Sequence, residues 1–160
     1  MKAITFQGQA ERENIKLGLV VSRFNSEITE KLEKGALQYC EEIGLRSDQV
    51  YLVRVPGAFE IPLAAKQLLL SDFSGVVALG AVIRGDTPHF DYVCQSVERA
   101  CTQLQLDFVR PVSFGVLTTE NEDQALARCG GSHGNKGYDA VQVAIEMIDL
   151  TRKIRGGLNE

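Results

Sequence analysis

Four short apolar runs, KLGLVVS (16–22), VYLVRV (50–55), GVVALGAVI (75–83) and PVSFGVLTT (111–119), each lead into a segment with helical spacing of apolar residues. This alternation is the strongest constraint on the fold. A strand that reads apolar almost continuously is fit for burial on both faces. After the first run, Ile28, Leu32, Ala36, Tyr39, Cys40 and Ile43 step by three and four within EITEKLEKGALQYCEEIG, and Gly44 supplies a stop. LAAKQLLL follows the second run, with Pro62 acceptable in a first helical turn. After the third, Phe90, Val93, Cys94, Val97, Cys101 and Leu104 share one face of FDYVCQSVERACTQLQLDF. The fourth precedes NEDQALARC, where Thr119 and Glu122 suit a capping box. A final helix carries Val141, Ala144, Ile145 and Ile148.

Four successive β-α units predict an α/β fold: a four-stranded parallel sheet with helices on both faces, three-layer and flavodoxin-like. The expected division is an N-terminal extension, 1–14, and one domain, 15–155. AITFQ has no hairpin partner nearby, so it either frays or pairs with the sheet edge of a neighbouring subunit.

Composition narrows the function classes. A net charge of −4 argues against a general nucleic-acid binder. No apolar run reaches the roughly 20 residues of a membrane span, and the start has too little apolar content for a signal peptide, so a cytoplasmic location is expected. Cys40, Cys94, Cys101 and Cys129 form no Cys-x-x-Cys pair and fit no zinc spacing. They read as reduced core thiols, with Cys129 the one near a loop.

In an open parallel sheet, ligands bind beyond the carboxyl ends of the strands. Those ends carry SRFN, PGAFE, RGDTPH and TTEN, so Phe24, Phe59, Glu60, Arg84, Asp86, Thr87 and His89 are candidates for one pocket. Thr87 suits an N-cap and Pro88 the first helical position. His89, one of two histidines in the chain, then sits in a first turn, where the helix dipole disfavours imidazolium. A neutral imidazole there can accept a proton and return it. The unpaired amides at Gly85, Asp86 and Thr87 favour an anion such as phosphate, although the Asp86 charge opposes one unless it points outward.

Each residue has a plainer alternative. His89 can be a solvated first-turn residue, Phe24 a staple on the first helix, Glu60 a dipole partner, Arg84 a surface charge and Arg128 a cation near a helix C-terminus. GGSHGNKG (130–137) is no P-loop, since Lys136 is followed by glycine, and it reads as a flexible connector with His133 solvated.

Taken together, SRFN, VPGAFEIPLAAK, GAVIRGDTPHFDYV, FGVLTTEN and GNKG, in this order and spacing, resemble the lumazine synthase family of riboflavin biosynthesis, from about Ile15 to Met147. The resemblance implies condensation of 5-amino-6-(D-ribitylamino)uracil with 3,4-dihydroxy-2-butanone 4-phosphate, with no metal or organic cofactor. It implies that Phe24 stacks on the pyrimidine, that Ala58, Phe59 and Glu60 hold the ribityl-uracil, and that Ala81, Val82 and Ile83 read the pyrimidine edge through their backbone. Gly85, Asp86 and Thr87 would border the phosphate, and His89 would transfer protons. Phe114 and Arg128 would complete the pocket from an adjacent subunit, with Arg128 neutralising phosphate and Lys136 a second candidate. The resemblance also implies a pentamer, in some members a 60-subunit shell, and riboflavin synthase as a possible partner. An electron carrier would want a Ser/Thr/Gly-rich loop after the first strand, and SRFNSE has no glycine. A signalling receiver would want acidic residues that VVSRFN and GAVIRG lack. A shell protein without catalysis is opposed by the presence of Phe24, Glu60, His89 and Arg128.

Overall fold

The structure, a computed structural model, describes residues 1–157. Strands β1 (Leu17–Ser22), β2 (Val50–Val55), β3 (Gly75–Ile83) and β4 (Val112–Thr119) form one parallel sheet in the order β2-β1-β3-β4. Helices α1 (Ser26–Glu42) and α5 (Lys136–Gly157) cover one face, and α2 (Ile61–Leu70) and α3 (His89–Phe108) the other. The expected three layers are present. β1 is buried along its whole length. Alternate residues feed the two cores: Leu17, Leu19 and Val21 face α1 and α5, while Val20, Val76 and Ala78 face α2 and α3. Each fully buried Leu or Val contributes about 1.5–3 kcal/mol. No helix among the described residues is long and apolar enough to cross a membrane.

Sheet order fixes where a ligand can sit. The chain leaves β1 towards β2 on one side, and leaves β3 towards β4 on the other. The loops after the neighbouring strands β1 and β3 therefore diverge, and a crevice opens above them.

Local departures from the sequence reading have physical causes. The first helix ends at Glu42, two residues short of Gly44, which takes φ +77° as a stop should. Thr87 is not the N-cap of α3. Pro88 holds that position, and His89 is the first helical residue. The Thr119–Glu122 capping box does not form, because β4 runs through Thr119 and its hydroxyl donates to Asn121 O. Asn121 caps the short helix α4 (Glu122–Ala127) instead, accepting the Gln124 N–H at 2.9 Å. AITFQ forms no strand in the isolated chain.

The segment read as a flexible connector is ordered. Cys129–Gly131 (β5) and Gly134–Asn135 (β6) pair antiparallel, with His133 exposed in the turn. Asn135 then acts as a clasp. Its Nδ2 donates to Lys31 O in α1, and its Oδ1 accepts the N–H groups of Gly137 and Tyr138 at the start of α5. Those amides would otherwise be unpaired at a helix N-terminus. GNKG is thus a device that seats α5 on α1.

The cysteines are unpaired, and burial pushes the thiols of Cys40 and Cys101 up to about 11. The Cys129 thiol is also raised by burial and faces Leu126 O at 3.6 Å, which suits a packed thiol. At pH 8 Cys40 and Cys101 stay protonated and covered, so iodoacetamide is expected to leave both unmodified in the native protein and to label them in denaturant. Mass spectrometry checks this, and rapid native labelling of either would contradict the packing.

Candidate active site

The loop after β1 is tied to its neighbours. Arg23 and Phe24 donate backbone N–H groups to Val55 O and Pro56 O at 2.8 and 3.0 Å. Asn25 takes the left-handed conformation, φ 61°, which asparagine tolerates. Its Nδ2 donates to Ala81 O at 2.9 Å, joining the ends of β1 and β3 across the divergence point. Phe24 stays 71% exposed, so it is not folded down as a staple onto α1.

After β2, a 3₁₀ turn, Ala58–Glu60, leads into α2. Ala58 is buried beneath it and Phe59 is 61% exposed. Glu60 spends Oε2 on the Gly57 N–H at 3.0 Å, so its carboxylate shapes the loop it belongs to.

After β3, the first turn of α3 closes the crevice. The result is one cavity of about 680 Å³, within the size range of small-molecule sites. Phe24, Ala58, Phe59, Glu60, Ala81, Val82, Ile83, Gly85, Thr87 and His89 all line it. Asn25, Pro56, Gly57, Phe90, Tyr92 and Val93 line it as well and were not anticipated there. Phe90 and Val93 belong to the apolar stripe of α3, read as core. The first turn of α3 overhangs the sheet edge, so its part of that stripe faces the cavity. The signal was available: residues 89, 92 and 93 share a helix face.

Two sequence candidates lie outside the cavity wall. Asp86 is exposed and is not part of the lining. Arg84 is drawn away by carboxylates. Its Nε donates to Glu120 at 2.7 Å and its terminal nitrogens approach Asp91 at 3.4 Å. Glu120 first, then Asp91, holds the guanidinium above its ordinary value. Arg84 is therefore a surface cation with partners, not a pocket residue.

Phe114, Arg128 and Lys136 do not reach this cavity in their own chain. Phe114 is partly exposed on the open β4 edge, beside Cys101, Val112 and Val143. Arg128 follows α4 and donates to Gln124 O at 2.9 Å, and Lys136 pairs with Asp139 at 3.6 Å.

Chemically, the cavity offers aromatic walls for a planar heterocycle, backbone edges from β3, loop amides at Gly85 and Thr87 just ahead of α3 for an anion, and the His89 imidazole. Among the described residues no cluster suits a metal ion.

The sequence profile of the family described as 6,7-dimethyl-8-ribityllumazine synthase matches residues 14–152. Curated relatives with that description include one from Bdellovibrio bacteriovorus, 57% identical over 143 residues, covering 88% of this chain and 77% of its own. Another, from Coxiella burnetii, is 51% identical over 142 residues, covering 88% and 94%. One from Protochlamydia amoebophila is 46% identical over 150 residues, covering 93% and 87%.

Proposed function

The chain belongs to the 6,7-dimethyl-8-ribityllumazine synthase family, and we propose that the cavity above β1 and β3 is where it carries out the family reaction. It is a transferase that condenses 5-amino-6-(D-ribitylamino)uracil with 3,4-dihydroxy-2-butanone 4-phosphate. The products are 6,7-dimethyl-8-ribityllumazine, phosphate and water, in the penultimate step of riboflavin biosynthesis. The observation that carries the site is the convergence of Phe24, Phe59, Gly85, Thr87 and His89 on one cavity.

In this reading Phe24 stacks on the pyrimidine, and Ala58, Phe59 and Glu60 hold the ribityl-uracil. The backbone of Ala81, Val82 and Ile83 reads the pyrimidine edge. The amides around Gly85 and Thr87 receive the phosphate. His89 accepts a proton from the amine nitrogen as it adds to the carbonyl carbon. It returns one to the oxygen that leaves as water. Mixing both substrates with the protein and following the lumazine chromophore and released phosphate tests this. A rate no faster than the protein-free mixture would refute it.

Arg84 is spent on Glu120 and Asp91, so a phosphate beside Gly85 and Thr87 needs another cation. We assign it to Arg128 of an adjacent copy, with Phe114 completing the wall and Lys136 in a secondary role. Both sheet edges support such an assembly: Tyr51 and Leu52 are exposed on β2, and Phe114 on β4. Unlike edges meeting head to tail generate a ring when the rotation between copies closes. The reading is a homopentamer, with 1–14 pairing onto a neighbour, domain 15–155 forming the body, and twelve rings closing a shell. Analytical ultracentrifugation separates ring from shell, and co-sedimentation tests riboflavin synthase as the partner. Four unpaired thiols support a cytoplasmic location.

Arg128→Ala is expected to raise the KM for the butanone phosphate by roughly ten-fold, as the loss of a charge-assisted hydrogen bond requires. Ribityl-uracil affinity should hold. If Arg128 acts in trans, co-assembling Arg128→Ala with His89→Ala restores complete sites at some interfaces, and turnover at butanone phosphate well below the wild-type KM rises above that of either variant alone. No gain in verified mixed rings would place Arg128 elsewhere.

A further inference from the structure

Arg84 bridges two elements that meet beside the cavity without lining it. Its backbone N–H donates to Thr119 O at 2.9 Å, extending the β3–β4 ladder by one rung. Its Nε donates to Glu120 Oε2, just past β4, at 2.7 Å. Its two terminal nitrogens donate to the two oxygens of Asp91, in the first turn of α3, at 3.4 Å each. Its Cζ lies 4.5 Å from the centre of the Phe90 ring. That first turn has no side-chain cap, because Pro88 occupies the N-cap position. Residues 85–88 before it form neither helix nor strand. The guanidinium is thus a direct tie between the rigid sheet end and the turn that carries His89 and Phe90.

We propose that Arg84 is a positioning residue for the condensation: through Asp91 and Phe90 it holds the first turn of α3 so that His89 faces the cavity. This rests on the reading of the cavity as the condensation site. All three charged groups are partly exposed, so the pairs add little to folding stability. Their effect is geometric. A planar five-donor fork can engage Glu120 and both oxygens of Asp91 at once, which an ammonium cannot. Displacing a reacting group by about 1 Å can cost roughly 100-fold in rate, so a loosened turn is expected to cost about ten-fold.

The test compares Arg84→Met, Arg84→Lys, Asp91→Asn and Arg84→Met/Asp91→Asn with the wild type in steady-state turnover. Arg84→Met is expected to lower kcat about ten-fold while the KM for ribityl-uracil changes less than about two-fold, because Phe24 and Phe59 stay in place. Arg84→Lys should fall between. In the Asp91→Asn background, Arg84→Met should cost less than it does in the wild type, since the charged part of the tie is already lost. Wild-type-like kcat in Arg84→Met, or an undiminished loss in the Asp91→Asn background, would overturn the proposal. Hydrogen exchange over residues 86–93 reads the tie without activity. Several-fold faster exchange in Arg84→Met is expected, and unchanged exchange refutes the anchoring. Absence of turnover in the wild type would instead refute the cavity assignment.

Discussion

Replacing His89 by alanine lowers kcat by on the order of ten- to a thousand-fold and leaves the fold intact, the span expected for loss of a positioned proton carrier. The residue is exposed in the first turn of α3, and its removal opens no core cavity. Imine formation, loss of phosphate and ring closure each move a proton. One imidazole in the cavity wall can serve all of them. Circular dichroism should match the wild type, and the KM values should move far less than kcat. A variant that keeps turnover within about two-fold of the wild type would show that protons move by another route.

Gly137→Ala is expected to destabilise the protein by about 3 kcal/mol or more, at the upper end of overpacking costs. A methyl group at Gly137 would lie 2.0 Å from the Leu32 carbonyl oxygen, which belongs to the backbone of α1 and cannot rotate aside. The two helices would have to part, and with them the Asn135 clasp that joins Lys31 O to the first amides of α5. For a chain of this size the melting temperature should fall by roughly 6–12 °C. Gly156→Ala is the control. It lies in the same helix with open space around the site, so it should be neutral or slightly stabilising. Equal melting temperatures for both variants would mean that α5 does not sit this close to α1.

Much of the site was legible because it depends on chain order. Strands that run parallel must deliver their exit loops to one rim, so quoting SRFN, PGAFE and RGDTPH in sequence is nearly enough to place Phe24, Phe59 and His89 together. Details that depend on where an element stops were less legible. Thr87 looked like a cap, but Pro88 took the position. Thr119 looked like a cap, but β4 claimed it and Asn121 served instead. At Thr119 the cap was decided by the last rung of the preceding strand, which is a tertiary matter. Arg84 sat in the right loop, yet two carboxylates 7 and 36 residues away drew it off the pocket.

By itself, the amino-acid sequence determined the alternation of buried strands and amphipathic helices, and hence a parallel sheet with its chemistry at one edge. Burial periodicity is a local property, readable from neighbours along the chain. Only the tertiary structure decided that Phe90, Tyr92 and Val93 face a cavity, that GNKG is a clasp and that Arg84 is a tie. Those roles depend on which atoms lie within a few ångströms in space, and neither periodicity nor spacing specifies that distance.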